Sequence, residues 1–237
     1  MKVRRSSVLS VAILGLCVAP VAGQAVSEKG QATVGVHEIA MKAGNLYMIK
    51  VVGNDFVPHV MMKPGNLAFS SPDFTKPTMF TSHYFPSKSE TQTIYVVPEL
   101  FSLKGKGPFD YTIDITPVKL AAKPILDLKG ELTANDPPYK AEFLTRAHHK
   151  AHKLKLEAGR FYIIDMTSPD VLKRLDSYLY LLDSKGKILR SDDDSGGFPN
   201  ARIIFQPEKA GEYTIITTGL GDAVGEFALK VRAAEKQ

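Results

Sequence analysis

Apolar and polar residues alternate along most of the chain, in short segments that end at glycine, proline or aspartate. The clearest of these segments are residues 178–182, 201–205 and 211–217. The first ends at the turn sequence Asp183-Ser184-Lys185-Gly186, after which the strand pattern resumes. A period of two with one apolar face is typical of half-buried β-strands. Many short strands with close turn signals predict an antiparallel β-sandwich of the jelly-roll kind, and only residues 137–150 leave room for a short helical turn.

The pattern occurs twice along the chain, with an offset of about 115 residues. Residues 37–49 align with residues 152–164, and both read as an alternating strand, an Ala-Gly turn and a second apolar strand. A closing strand at residues 111–115 matches residues 227–231. Between these anchors the match is looser, and residues 55–65 can be laid on residues 176–186.

The repeat predicts an all-β protein with two tandem antiparallel sandwich domains. We place the first at residues 24–120 and the second at residues 121–237, with a short join near residues 119–125. Leu126, Leu128 and Leu132 are expected in the first strand of the second domain.

The first 23 residues have the layout of a secretory signal peptide. Lys2, Arg4 and Arg5 precede an uncharged apolar run over residues 8–18, and small residues follow at positions 21–23. The run is shorter than the roughly 20 residues that a spanning helix needs, which leaves an uncleaved anchor as the alternative. We therefore expect an exported protein, periplasmic or extracellular.

Removal of this segment changes the charge and the thiol chemistry. The net charge falls from +5 by three, to +2, and the remaining charges of both signs are interspersed, so nucleic-acid binding is not indicated. Cys17 is the only cysteine, which leaves the mature chain without a disulfide or a thiolate metal site. Leu16 occupies the position where a lipidation site prefers a small residue, so we do not expect Cys17 to be lipidated. No later stretch is long and apolar enough to span a membrane.

The second repeat carries an ordered series of short motifs. They are Gly130-Glu131-Leu132-Thr133, Leu156-Glu157-Ala158-Gly159, Asp176-Ser177-Tyr178-Leu179, Asp192-Asp193-Asp194-Ser195-Gly196-Gly197 and Gly225-Glu226-Phe227-Ala228-Leu229. Residues 125–233 thereby resemble the bacterial pre-peptidase C-terminal domain (PPC) family, β-sandwich modules that often follow the catalytic domain of secreted peptidases. The collagen-binding modules of clostridial collagenases look similar in fold. The first repeat is a degenerate copy, with residues 69–77 in place of the acidic loop. The resemblance implies an accessory module rather than an enzyme.

The acidic loop of the second repeat is a candidate calcium site. Asp192, Asp193 and Asp194, with Asp176 and Asp183 as further donors, supply the hard oxygen ligands that Ca²⁺ prefers. The collagen-binding relatives hold calcium, so the resemblance points the same way. The alternative is a solvated hairpin in which aspartates cap turn amides and the following glycines supply positive φ angles. The spacing is not that of an EF-hand.

Three clustered histidines allow a second metal hypothesis. His148, His149 and His152 fall within five positions and could bind zinc if the segment were helical. However, the repeat places His152 in a strand, equivalent to His37, which favours a paired structural role.

A soft-metal site is a further alternative in the first repeat. His59, Met61, Met62 and His83 are residue types that suit copper. The looser alignment lays His59 on Tyr180 and Met61 on Leu182, which favours core packing instead.

Aromatic residues mark a candidate partner surface in the first repeat. Phe74, Phe80, Tyr84 and Phe85 lie in a proline-containing insertion that breaks the repeat pattern, and such loops often carry function. The alternative is that they cover the edge of the sandwich.

No nucleophile elbow, phosphate loop or dinucleotide fingerprint occurs in the sequence. We therefore expect an exported, non-catalytic binding or accessory protein that recognises a protein or polysaccharide. The alternatives are a divergent metal-dependent hydrolase and a structural envelope component.

Overall fold

A computed structural model describes residues 25–32, 35–54, 56–62, 79–86, 88–98, 109–141, 144–169 and 175–236. All regular secondary structure in these ranges is β-strand, arranged in antiparallel sheets, which confirms the predicted all-β fold. The chain divides into two compact units, Met1–Pro117 and Val118–Gln237. The division lies three residues before the predicted boundary.

The first domain pairs two sheets around one core. Its described strands are β1 (Val26–Ala32), β2 (Gly35–Met41), β3 (Asn45–Gly53), β4 (Pro58–Met62), β5 (Met79–Tyr84), β6 (Glu90–Pro98) and β7 (Phe109–Lys119). They form sheets of order β1-β7-β3-β5 and β2-β6-β4. Alternate residues of β2 and β4 are buried, so each strand contributes one face to the core, as the period of two predicts.

The second domain has the same two-layer plan, with more strands than the described part of the first domain contains. It contains β8 (Leu126–Leu132), β9 (Pro138–Ala141), β10 (Leu144–Leu156), β11 (Tyr162–Thr167), β12 (Ser177–Leu182), β13 (Ile188–Asp192), β14 (Ala201–Phe205), β15 (Gly211–Gly219) and β16 (Gly225–Ala233). The sheets have the orders β14-β11-β16-β8 and β13-β12-β15-β10-β9. The helical turn considered for residues 137–150 is wrong, because pairing of β10 with both β9 and β15 makes this stretch extended.

Strand order repeats between the two domains. The order β1-β7-β3-β5 corresponds to β8-β16-β11-β14, and β2-β6-β4 corresponds to β10-β15-β12. Relative to the described strands of the first domain, the second domain adds β13 and β9 at the two edges of the latter sheet. The sequence repeat is therefore a repeat of topology.

A tyrosine fixes the Ala-Gly turn in both domains. The backbone N–H of Lys42 donates to the Tyr47 hydroxyl over 2.6 Å, and that of Glu157 donates to the Tyr162 hydroxyl over 2.8 Å. Gly159 has a φ of 72°, in the left-handed region that glycine adopts without strain. Because both tyrosines are fully buried, each turn is tied to the core beneath it.

Replacing Tyr162 with Phe should destabilise the second domain by about 1 kcal/mol, because the Glu157 N–H loses its acceptor while the ring still fills the core. Urea unfolding read by hydrogen exchange on second-domain peptides measures this. Tyr47→Phe is the matched variant and should affect the first domain alone. An unchanged midpoint for both variants would contradict a role for the hydroxyl.

A histidine–aromatic pair also repeats between the sheets. His37 Nε2 lies 2.8 Å from the Tyr111 hydroxyl, with the two rings edge to face. His152 packs edge to face on Phe227, and its Nε2 lies 3.0 Å from Thr217 Oγ1. These contacts agree with the paired structural role predicted for the two histidines.

Candidate functional site at one end of the second domain

Several strand connections meet at one end of the second sandwich, including the one that follows β8, whose last residue lies opposite the first residue of β16. At this end β11, β13 and β15 finish and β12, β14 and β16 begin. The Ser177 N–H donates to the Pro199 carbonyl over 3.0 Å, and the Leu220 N–H donates to the Asp176 carbonyl over 2.8 Å. The start of β12 is therefore bonded to the connections on both sides. We call this region the loop end.

Asp192 organises the acidic loop from within. Its Oδ2 accepts from the backbone N–H of Ser195 over 3.0 Å and from that of Arg202 over 2.8 Å, and its Oδ1 accepts from the Ser195 hydroxyl. Gly197 follows with a φ of 92°, which suits glycine. Both carboxylate oxygens of Asp192 thus accept hydrogen bonds, from Ser195 in the loop and from Arg202 at the start of β14.

The other carboxylates of the loop end repel one another. Burial raises the pKa of Asp176, and the charges of Asp194 and Asp193 raise it further. Burial and then Asp193 raise the pKa of Asp194. Oδ1 of Asp176 is buried without a hydrogen-bond partner. The carboxylates are therefore held near each other at an electrostatic cost.

The predicted calcium ligands come together only in part. Asp176, Asp193 and Asp194 lie within electrostatic reach, whereas Asp192 is engaged in hydrogen bonds. Asp183 is at the other end of β12, where its Oδ1 accepts from the Lys185 and Lys187 N–H groups. Across the described ranges no group of three or more His, Cys, Asp or Glu side chains is arranged to hold a metal ion.

Exposed apolar side chains lie at the same end as the acids. Phe198 is 76% exposed, Leu220 38% and Val224 36%. Six large hydrophobic side chains are this exposed in the described part of the chain, and half of them are here. Sequence reasoning missed these three residues. The signal was present, because Phe198 and Leu220 stand beside glycines in turns that no strand pattern explains.

The clustered histidines have separate surroundings. His148 Nδ1 lies 2.7 Å from the Asp136 carbonyl, and His149 Nδ1 lies 2.9 Å from the Pro137 carbonyl, whereas His152 points between the sheets. His149 and Asp192 are on strands β10 and β13, which β15 and β12 separate. Three strand spacings amount to about 14 Å. The start of β12, where Asp176 lies, is two spacings from β10, about 10 Å, so the histidines lie at the same end of the domain as the acids but not beside them.

The buried position of His152 predicts a loss of stability in acid. Burial, and then the charge of Lys150, lowers the pKa of His152 below 6.5. The unfolded state therefore binds more protons below about pH 6.5, and stability falls as pH decreases through that window. We expect His152→Gln to flatten the dependence of the urea midpoint on pH between 5 and 7. Ile215→Val, opposite His152 in the β10–β15 pair, is the control: it removes a buried methyl group but no titratable group, so it should lower the midpoint without changing the slope.

The predicted aromatic surface of the first domain is largely interior. Phe80 and Phe85 are buried, and Phe80 lies opposite Val51 in the β3–β5 pair. Tyr84 is half-buried, and its hydroxyl donates to Glu90 Oε1 over 2.6 Å. Phe74 lies outside the described residues. Phe80 and Phe85 thus belong to the interior rather than to an exposed partner surface.

Core packing is the favoured prediction for His59, Met61 and Met62, and it is correct only for Met62. Met62 is buried in the core, but His59 and Met61 face outward from β4. Burial lowers the pKa of His83 on β5. Met61 lies opposite Tyr95, and Tyr180 lies opposite Ile216. Because Tyr95 and Ile216 occupy equivalent positions in the two domains, Met61 corresponds to Tyr180 and not to Leu182.

No protein-family model and no characterised protein matches the sequence. Among solved structures, the chain is similar to the extracellular domain of ANXUR2 from Arabidopsis thaliana, with 9% identity over 89% of this chain and 84% of that one, and a TM-score of 0.29. It is also similar to an anti-sigma factor domain-containing protein, with 9% identity over 90% and 80% of the two chains and a TM-score of 0.19. Neither likeness bears on function. No helix among the described residues is long and apolar enough to cross a membrane, and the predicted signal peptide, residues 1–23, lies outside them.

Proposed function

We propose that the chain is an exported, non-catalytic binding protein whose second domain recognises a protein or polysaccharide partner. The observation that carries the proposal is the composition of the loop end, where exposed Phe198, Leu220 and Val224 accompany the carboxylates of Asp176 and Asp194. Exposed apolar groups with a polar rim are typical of interaction sites. Loops on a rigid sandwich are a usual place for recognition.

The charges of the loop end favour a cationic partner surface. Burial and mutual repulsion raise the pKa values of Asp176 and Asp194, so a positive group placed between them would relieve the repulsion. The exposed Phe198 ring offers an apolar face at the same end of the domain. We therefore expect a partner that presents amino or guanidinium groups next to apolar surface.

Binding to defined polymers tests the proposal. The chain is incubated with peptidoglycan, chitin and collagen, and retention is measured at low and high salt. We expect at least one polymer to retain it, with retention reduced by salt and at least tenfold weaker for Phe198→Ser/Leu220→Ser. Ile125→Ser is the matched control, because Ile125 is 40% exposed before β8, at the opposite end of the domain. Retention by none of the polymers, or retention indifferent to the loop-end substitutions, would contradict the proposal.

Calcium binding at the loop end remains part of the proposal. The chemistry of the donors fits a hard cation, since Asp176 Oδ1 is buried without a hydrogen-bond partner and Asp193 and Asp194 lie within electrostatic reach. The hydrogen bonds that Asp192 accepts argue against its being a ligand. A bound ion would connect the start of β12 to the β13–β14 loop.

Thermal unfolding with calcium and then with chelator checks this prediction. A ligand that binds only the folded state raises the midpoint, and we expect the rise to be lost in Asp176→Asn/Asp194→Asn. Asp183→Asn, at the other end of β12, is the control and should respond to calcium as the natural chain does. No rise with calcium would identify the loop as a turn stabilised by its own hydrogen bonds.

The resemblance of residues 125–233 to the PPC family supports an accessory role and remains a prediction. A metal-dependent hydrolase would need the histidines and the acids of the loop end to meet, and two to three strand spacings separate β10 from the start of β12 and the end of β13. A structural envelope component is the remaining alternative. Concentration-dependent self-association in sedimentation would favour it, and a strict monomer would count against it.

A further inference from the structure

An exposed apolar row crosses the outer face of the β2-β6-β4 sheet in the first domain. In register, Val36 lies opposite Tyr95, and Tyr95 lies opposite Met61. Val36 is 55% exposed and Met61 46%, so the described part of the chain leaves both side chains open to solvent. We call these three residues the Val36 row.

In the second domain two of the three equivalent positions, Ile216 and Tyr180, are covered, whereas the third, Ala151, is exposed. There Ala151 lies opposite Ile216, and Ile216 lies opposite Tyr180. Ile216 and Tyr180 are buried in a small cluster on the outer face of the sheet. The ring of Tyr139, supplied by β9, lies 5.1 Å from the ring of Tyr180. The cover is therefore an aromatic side chain on a short extended strand.

The connection between β1 and β2 is too short to supply such a strand, and β9 pairs with β10 at Leu144, Ala147 and His148, ahead of the residues that correspond to β2. Residues 133–143 connect β8 to β10 and include β9, whereas only residues 33 and 34 connect β1 to β2. Among the described strands β2 is an edge of its sheet. Edge strands offer backbone groups with which an added strand can pair.

The charge of this face indicates the chemistry of a partner. Outward-facing side chains of β2, β4 and β6 in the described ranges include exposed Glu38 and no lysine or arginine. An added strand with a basic residue would complement Glu38. An aromatic residue on it would cover Tyr95 and Met61 as Tyr139 covers Tyr180.

We propose that the Val36 row is a docking site for an extended segment of a partner protein that carries an aromatic residue beside a lysine or arginine. The contact adds a strand along β2 and places the aromatic ring on the row. This surface belongs to the first domain and is independent of the loop end of the second.

Fluorescence anisotropy with labelled peptides tests the proposal on the full chain. The probe alternates tyrosine and threonine and has a lysine at each end. One control peptide has alanine for tyrosine, and another has glutamate for lysine. We expect saturable binding of the probe and at least tenfold weaker binding of both controls. Val36→Thr/Met61→Thr should weaken the probe by a similar factor, whereas Ile125→Thr should not.

A charge reversal makes the test independent of the folding of that double variant. Glu38→Lys leaves the Val36 row intact. It should reverse the preference of the chain for the two peptides, so that the glutamate peptide binds more tightly than the lysine peptide. Absence of saturable binding, or binding that ignores both sets of substitutions, would overturn the proposal. Dimerisation of the chain that Val36→Thr/Met61→Thr abolishes would also overturn it, in favour of a second copy as the occupant.

Discussion

Replacing Asp165 with Ala should destabilise the second domain by about 3 kcal/mol, more than any other single change considered for this chain. Asp165 is 7% exposed on β11. Its Oδ1 accepts from Arg202 Nε over 2.5 Å and its Oδ2 from Arg232 Nη2 over 2.6 Å. Removal of the carboxylate leaves two guanidinium groups close together in a largely desolvated place. The free energy of unfolding from urea titration, read on second-domain peptides by hydrogen exchange, gives the value.

A surface ion pair on the same sheet provides the control. Asp127 Oδ2 lies 3.2 Å from Lys230 Nζ, with both side chains about half exposed. Exposed pairs contribute little because water screens them, so Asp127→Ala should cost less than about 0.5 kcal/mol. Similar losses in the free energy of unfolding for the two variants would mean that burial does not set the contribution of Asp165 to stability.

The sequence predicts the features of this fold that depend on neighbouring residues. The Ala-Gly turns follow from local chemistry, because a glycine before a strand supplies the positive φ that the turn at Gly159 requires. The contribution of Asp165 could not be predicted in this way. Its partners lie 37 and 67 residues further along the chain, and only the pairing of β11 with β14 and β16 brings them beside it.

The candidate site was predictable to a similar degree. In antiparallel sheets alternate strand ends meet, so Asp176 before β12 and Asp192 at the end of β13 come to the same end. The exposure of a side chain depends on the assembled sandwich, so the sequence predicts it poorly. Phe80, in a segment that breaks the repeat, is buried, whereas Phe198 is the most exposed large hydrophobic residue described.

Replacing Asp176 with Asn should stabilise the second domain at neutral pH by up to about 1 kcal/mol, because an amide of the same shape carries no charge into a site where Oδ1 has no hydrogen-bond partner, and solvent at the partly exposed carboxylate screens the rest of the cost. The dependence on pH distinguishes this cause from improved packing. The pKa of Asp176 in the folded state is raised above 3.8, by burial and then by Asp194 and Asp193. Between 3.8 and that raised value the folded state binds more protons, so the stability of the natural chain falls as pH rises through this interval and stays lower above it.

The advantage of Asp176→Asn should therefore be complete at pH 7 and disappear below about pH 3.8. Urea midpoints between pH 3 and 7 measure it. Asp183→Asn is the matched control, because its hydrogen bonds from the Lys187 and Lys185 N–H groups lower the pKa of Asp183, and it should not stabilise the domain. A neutral or destabilising Asp176→Asn would refute the electrostatic cost assigned to the loop end. If the variant is more stable and also binds polymers or calcium less well, the carboxylate at position 176 serves binding at the expense of stability.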